Sequence, residues 1–475
     1  MSGAAAPSPG TRRRRTGPDP VTAAAGVFRM DPSRDHDRRI GAETSVAPPA
    51  EEITRPSPWR TRVETWYLAY ALLGVTVAGL VPILVPLRVS RGGVAQVGLV
   101  MAAFNLGGLT APLWGGLADR YRLHRWLLTG GLAVAAAGLA AFALTTQPIA
   151  WLGLALLQGI GAAAAATVAN LFVVEAHPRV EWDERIGWLQ TFYGGGQVLG
   201  LLLAGLLGQT HLRLGLLTAA GLPAVALLPG WLGTPSLAWS PGAKPILRHP
   251  ARHGEWAVSS PVRLFHYCTS QALHSLGDSA ASPFRRFLGA WVLGYAGAAS
   301  IFSLYPVLME GAFGVPAGTS SWAFGAAAGL GMALYSPSGA WAGRAGSLRV
   351  LQAGLALRVL ACGALLILAL THPPGQGALA LLAFGAVVLA WSLLSVGGTA
   401  LTAELSPVGE GEALGLFNAA TALAGVIGAA LGGWIAGRWG LAGAVGLAVL
   451  GAVCALLIAV GLHPARQPGA GQSPR

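Results

Sequence analysis

Asp119, Arg120, Arg122, His124 and Arg125 crowd into one stretch, WGGLADRYRLHRW (114–126), with long apolar runs on both sides. A carboxylate set among bases can pair with an arginine or with helix N-terminal amides and let go again. That is the chemistry of a latch rather than of a catalytic centre. The arginines would also hold such a loop on one side of a membrane. A second acid–base group follows in EAHPRVEWDER (175–185), where Glu175 and Arg185 bracket the loop and Arg185 is placed to meet Glu175 or Asp119.

Other polar side chains stand inside apolar runs. Gln190, Tyr193 and Gln197 are spaced i, i+3, i+7, one face of a helix. Ser392, Ser395, Thr399 and Thr402 form a similar stripe beside Trp391, and Tyr70, Gln158, Asn170, Tyr295, Tyr305 and Asn418 are scattered through other runs. In a bilayer such groups either bind helices together or touch a solute, and Ser and Thr lean towards the first use. All nineteen Asp and Glu fall in tails, loops or the ends of apolar runs, Glu175, Glu310 and Glu404 among those nearest to membrane depth. If these runs span a bilayer and move a solute together with protons, a titratable group must lie within reach of the path, and these three glutamates are then the candidate coupling acids. The expected cavity is otherwise largely neutral and suits an uncharged or amphipathic solute. Arg358 is the one base deep in an apolar run; it should find a partner, snorkel to an interface or meet an anionic solute.

The elements that must position these residues are membrane helices. Of 475 residues 53% are hydrophobic and 11% charged, where a soluble domain carries about 25% charged. Twelve apolar segments are long enough to cross a hydrocarbon core: 66–87, 95–117, 126–145, 149–174, 186–208, 213–235, 286–309, 318–341, 349–370, 377–402, 413–436 and 441–462. They group as an N-terminal six-helix bundle over 63–235 and a C-terminal one over 286–463. Residues 1–62, rich in Arg and Pro, read as a disordered cytoplasmic tail without a cleaved signal peptide, 236–285 as a cytoplasmic linker and 464–475 as a second cytoplasmic tail. With the N-terminus inside, 26 of the 31 Lys and Arg fall on the cytoplasmic side and only Arg88, Arg91, Arg213 and Arg438 outside. This is a strong positive-inside bias, and it places both termini in the cytoplasm.

The halves repeat. VEAHP (174–178) and AELSP (403–407) close the fourth and tenth segments. Gly187, Gln190, Gly200 and Gly205 in the fifth match Gly415, Asn418, Gly428 and Gly433 in the eleventh, all four at one constant offset. LADR (117–120) faces WAGR (341–344) at nearly the same offset. Parallel repeats with a site between them are one architecture of secondary transporters.

The 114–126 stretch resembles the signature between helices 2 and 3 of the major facilitator superfamily, G-x-x-x-D-R/K-x-G-R-R/K. Gly115, Asp119 and Arg120 match and Arg125 supplies a later base, while the signature's second Gly is Arg122. The second-half copy keeps Gly339 and Arg344 and has Gly343 in place of the acid. LLQGIGAA (156–163) resembles that superfamily's antiporter motif at Gln158, Gly159 and Gly161, with Ala155 where the motif has Arg, and Gly187, Gly196 and Gly200 resemble the glycine motif of drug/proton antiporters. The resemblance, over about 66–463, implies an all-α polytopic fold of twelve transmembrane helices as two pseudo-symmetric six-helix bundles. It implies a cytoplasmic gate formed by Gly115, Asp119, Arg120, Glu175, Arg185, Arg344 and Glu404, and a cavity lined by the first, fourth, seventh and tenth helices with the second, fifth, eighth and eleventh beside them. Tyr70, Gln158, Asn170, Gln190, Tyr193, Gln197, Tyr295, Trp391, Ser395 and Asn418 are the candidate cavity residues. The missing Arg at Ala155 argues against proton coupling, and the glycine pattern points to efflux.

A small-molecule substrate, the lipid bilayer and a coupling proton are the implied partners. The formal charge of +12 reads as membrane topology rather than nucleic-acid binding, and no cofactor is implied. Cys268, Cys362 and Cys454 have no metal-ligand spacing. HYCTSQALHSLGD (266–278) sets His266, Cys268, His274 and Asp278 together with nothing to complete a metal site, and reads as a helix lying on the membrane with Arg263, Arg285 and Arg286 near lipid phosphates. The expected function is alternating-access export of a small organic solute at the plasma membrane. Uptake of a sugar or metabolite is the alternative, and a multi-span enzyme or lipid-handling scaffold is the alternative of another class.

Overall fold

The computed structural model describes residues 63–178, 181–234, 282–405 and 410–462. The tail 1–62, residues 235–281, which take in most of the linker and its 266–278 motif, and residues 463–475, which take in the second tail, lie outside the described residues. Twelve helical spans account for nearly all of the rest. The first half holds α1 (Tyr67–Gly92), α2 (Val94–Gly108 continued by Ala111–Tyr121), α3 (His124–Leu144), α4 (Pro148–Ala176), α5 (Trp182–Thr210) and α6 (Leu212–Gly233). The second holds α7 (Pro283–Phe302 and Tyr305–Phe313), α8 (Ala317–Ala345), α9 (Ser347–Thr371), α10 (Gln376–Leu405), α11 (Glu410–Trp439) and α12 (Leu441–Val460). Among the described residues ten single helices are long and apolar enough to cross a membrane, and the bent α7 makes eleven. The twelfth, α8, has 29 residues, about 43 Å at 1.5 Å each; Gly, Ser and Tyr make it the more polar of the set.

Breaks in the spans have local causes. In α7 the two segments meet at 64°, and Pro306, just past the break, has no N–H to carry the ladder across it. In α1 a π-helical segment, Val75–Leu80, precedes Pro82. The turns closing these two pseudo-equivalent spans both place a glycine at positive φ, Gly93 at 103° and Gly314 at 67°.

The turn after α2 is different. Arg122 sits there at φ 53°, left-handed backbone that an L side chain enters at a cost of about 1–2 kcal/mol. Its counterpart in the second half, found by aligning LADR with WAGR, is Gly346, at φ 90°. Arg122 therefore occupies a position whose backbone calls for glycine. Arg122→Gly should stabilise the protein by about 1 kcal/mol, seen as a higher midpoint in thermal unfolding of the detergent-purified chain; an unchanged or lower midpoint would mean that the arginine side chain compensates for the strain.

Packing repeats between the halves. α1 lies on α5 and α6 as α7 lies on α11 and α12; α2 on α4 as α8 on α10; α3 on α4 and α6 as α9 on α10 and α12. The halves meet through two matching pairs, α2 with α11 and α5 with α8, together with the second segment of α7 against α1. These pairings follow from small residues. A Cβ on Gly196 would stand 2.1 Å from the Ala71 carbonyl oxygen and one on Gly200 2.2 Å from that of Val75, so α1 and α5 touch backbone to backbone.

The face from which α1 leaves and at which α12 ends is called here the terminal face, and the opposite one the far face. A buried apolar cluster runs through both halves on the far side, joining Leu84, Val97 and Phe142 to Tyr305, Met309 and Phe384. Towards the terminal face it divides in two. Trp66, Phe172 and Leu189 form the core of the first half alone, and Phe287, Leu351 and Phe417 that of the second. Residues 333–341 of α8 are all exposed except Ser338. Nine residues make two and a half turns, so this stretch of helix stands free on nearly every side. The halves are thus joined at the far face and parted at the terminal face.

Candidate functional site

The parting leaves a cleft between the halves, and four of the expected cavity residues meet on its first wall. The Gln190 side-chain amide donates to the Asn170 amide oxygen at 3.1 Å, and the Asn170 amide lies 3.4 Å from the Tyr70 hydroxyl. The Tyr70 ring stacks obliquely on Tyr193, centroids 4.9 Å apart. The i, i+3 spacing of Gln190 and Tyr193 on α5 sets both towards α1 and α4, where Tyr70 and Asn170 stand. Gln190 is exposed and Tyr193 half-buried.

Opposite is an aromatic wall. Tyr295 packs on Trp391 edge to face at 5.7 Å and on Trp291 at 6.3 Å, and Trp291 reaches Phe417 at 4.4 Å. The Trp291 indole N–H donates to Thr421 at 2.8 Å, and Tyr335 of α8 stands beside Trp391 and Ser395. Tyr193 of the first half lies within electrostatic range of Tyr295 of the second, so the two walls approach each other at this depth. Asn418, the repeat partner of Gln190, is likewise exposed. Gln197 is half-buried two turns beyond Gln190, and Gln158 is buried at 1% exposure and stands apart from the Tyr70 group. Ser392 is buried and its hydroxyl donates to the Gly331 carbonyl across α8 and α10, which is the packing use of serine. Trp291, Phe417, Thr421 and Tyr335 were not singled out in the sequence. They share no polar periodicity, and only the turn of α7 towards α10 and α11 makes one wall of them.

At the terminal face the first half carries a charge network. The Arg185 guanidinium donates to Glu181 at 2.7 Å and to Glu64 at 3.1 Å, and His177 Nε2 lies 2.6 Å from Glu64. Glu175 lies 3.1 Å from Nε2 of His124, an imidazole only 2% exposed. The Arg125 guanidinium donates to the Trp231 carbonyl and lies over the Trp231 ring at 4.7 Å. The side chains of Asp119 and Arg120 lie outside the described residues; their backbone is in the last turn of α2. Gly115 of the same segment is half-buried, its would-be Cβ 3.7 Å from Thr167 on α4. In the second half Ser347 donates to Glu404 at 2.6 Å, and Arg344 is exposed. Glu310 is exposed at the far face. Glu64 and His177 escaped notice in the sequence because Glu64 and its two partners are far apart along the chain. His124 stood in the opening stretch without its acid, which comes only at the end of α4.

Arg358 corrects the sequence expectation of a partner or a snorkel. It is 2% exposed at mid-helix, and no carboxylate among the described residues pairs with it. Insertion scales put such a charge at about 2.5–3.5 kcal/mol. The residue also does not face lipid. It points from α9 into the second half, towards Tyr295.

The family model of the Major Facilitator Superfamily matches residues 66–394 and 287–475. No curated protein matches. Among solved structures, the nucleoside transporter NupG (D323A mutant) superposes with a TM-score of 0.66 at 15% identity, over 84% of this chain and 98% of that one. A D-xylose-proton symporter gives 0.63 at 14% identity, over 84% and 97%. A bacterial homologue of the human lysosomal transporter Spinster, in an inward-facing and unoccupied conformation, gives 0.60 at 16% identity, over 86% and 100%. At these identities the likeness is one of fold.

Proposed function

Since the chain belongs to the Major Facilitator Superfamily, we propose that it exports a small organic solute across the plasma membrane by alternating access, with the terminal face in the cytoplasm. It is a membrane transporter and not an enzyme, which sets aside the enzyme and scaffold alternatives. One observation carries the mechanism: the apolar core is shared by both halves on the far side and separate for each half on the terminal side. That is the geometry of a carrier open to one compartment. The base count supports a cytoplasmic terminal face, and the glycines of α5 support export.

In this reading the solute enters from the terminal face and rests between the Tyr70–Asn170–Gln190–Tyr193 wall and the Tyr295–Trp391–Ser395 wall, with Asn418 at the rim. Amides and hydroxyls orient it and aromatic faces cover its apolar body. Rocking of the halves then closes the terminal face, where Asp119, Arg120 and Arg344 meet the opposite bundle beside the Glu175 and Arg185 contacts, and parts the far face. Counterflow of a solute panel in proteoliposomes, with a pH gradient imposed in either direction, tests this. Solutes should cross faster than through protein-free vesicles, with net movement from the terminal side to the far side. Net movement the opposite way would favour uptake, and no crossing of any solute would sink the carrier.

Coupling has three acids to use: Glu175 against His124, Glu404 against Ser347, and Glu310 at the far face. If a proton drives export through them, Glu→Gln at all three positions removes the acceleration by a pH gradient and leaves counterflow without a gradient. Gradient-driven flux that survives the triple variant would show that none of the three carries the proton.

A further inference from the structure

Arg358 has no use in the mechanism described so far. It is the twelfth residue of α9, buried to 2% exposure, and its Nε has no hydrogen-bond partner among the described residues. The guanidinium lines a small cavity with Phe287, Trp291, Tyr295, Leu351 and Leu394, and the neighbours within its electrostatic range are Tyr295 and Cys362. Neither supplies a negative charge in its neutral form. An arginine that only braced three helices would be expected to spend its five N–H groups on carboxylates or free carbonyls. This one faces an apolar cavity instead. Tyr295 lines the same cavity, packs on Trp391 and Trp291, and is within electrostatic range of Tyr193 of the other half.

We propose that Arg358 binds the anionic group of the transported solute, so that the cargo is an organic monoanion whose charge passes Tyr295 and whose apolar body rests on Tyr193, Tyr295 and Trp391. The proposal rests on the carrier reading and narrows its solute. A guanidinium fork matches a carboxylate at two points, and in apolar surroundings that pair is far stronger than in water. A neutral molecule of the same shape leaves the buried charge alone and gains none of this. Among the described residues no carboxylate compensates this cation in the empty carrier, and the anionic group of the cargo would.

Thermal unfolding of the full-length detergent-purified protein tests the charge directly, with benzoate against benzamide and indole-3-acetate against indole-3-acetamide as probes. Each pair matches in shape and differs in charge. The carboxylates should raise the midpoint by about 2–4 °C at saturation, at concentrations at least tenfold lower than any effect of the amides. Arg358→Met should raise the midpoint of the empty protein, because the unpaired charge is gone, and should abolish the carboxylate effect; Arg358→Lys should keep part of it. A lower midpoint for Arg358→Met would make the arginine a structural brace and overturn the proposal. So would carboxylate shifts that are absent, equal to those of the amides or retained in Arg358→Met. Counterflow with the same pairs separates the two readings. Equal flux of acid and amide overturns the charge assignment alone, whereas carboxylate-selective stabilisation without flux of any solute overturns the carrier alone.

Discussion

Gly433→Leu is expected to prop the halves apart at the far face and to abolish transport, while each six-helix half stays folded. A Cβ on Gly433 would lie 2.5 Å from Gly98 Cα and 2.9 Å from Gly98 N; one on Gly98 would lie 2.4 Å from the Ala429 carbonyl oxygen. Both neighbours are backbone, so no side chain can turn aside. Within its own half α11 packs on α7 through Gly428, against Ala296, and Gly432, against Ser300. Those contacts need not move when Gly433 grows. The overpacking, about 3 kcal/mol for a clash of this kind, is therefore borne by the far-closed state, and the far-open state escapes it. A shift of about 3 kcal/mol moves a two-state population by about 150-fold. The Asn105 amide, which donates to the Gly425 carbonyl across the same seam at 3.3 Å, is too weak to hold against it. The readout is disulfide cross-linking of Ala95→Cys with Gly437→Cys, positions in contact at the far face. Its yield should fall at least tenfold on adding Gly433→Leu, solute counterflow should drop to background, and the thermal midpoint should stay within a few degrees. Retained cross-linking with normal flux would mean that the far face need not close at Gly98 and Gly433.

Much of this seam was legible in the sequence because glycine is read twice, as a residue type and at a repeat offset. The three glycine pairs that share one offset between α5 and α11 have matching environments. Gly187 and Gly415 meet nothing within 4 Å among the described residues; Gly200 and Gly428 lie against α1 and α7 inside their own halves; Gly205 and Gly433 lie against α8 and α2 of the other half. The offset that carries LADR onto WAGR likewise carries Arg122 onto Gly346, and both have positive φ. Gln190 and Asn418, at the same offset, are both exposed. What was not legible depends on which way a helix faces. Apolar positions around a membrane helix look alike from the sequence whether they touch lipid, a neighbour or a cavity, because lipid is as apolar as leucine. Trp291 and Phe417 were therefore indistinguishable from packing, and for Arg358 the sequence left a partner, a snorkel and an anionic solute open. The pairing of Glu64 with Arg185 and His177 depends on the start of α1 meeting the start of α5, which no local spacing encodes.

Gly200→Val and Gly428→Val should remove folded protein altogether, where Gly187→Ala and Gly415→Ala should not. At Gly200 a Cβ would lie 2.2 Å from the Val75 carbonyl oxygen and 2.8 Å from Gly79 Cα; at Gly428 it would lie 2.1 Å from the Ala296 oxygen and 2.8 Å from Ala296 C. Either clash falls inside one half, so rocking of the halves cannot relieve it. Each valine forces a helix pair apart, α1 from α5 or α7 from α11, and these pairs carry the Tyr70–Tyr193 contact and the Trp291–Phe417 contact respectively. The cost is about 3 kcal/mol or more at each site, a large part of what holds a membrane bundle together. The open positions predict the reverse sign: alanine at 187 or 415 touches none of the described residues and favours the helix by up to about 1 kcal/mol. Monodisperse yield and thermal midpoint of the four single variants measure the difference. Near-background yield for the two valine variants beside wild-type yield for the two alanine variants is the expected pattern. All four glycines belong to the same repeat, and their distances to the neighbouring backbone set the expected difference. Equal tolerance at all four would mean that α1 and α5, and α7 and α11, do not meet through these glycines.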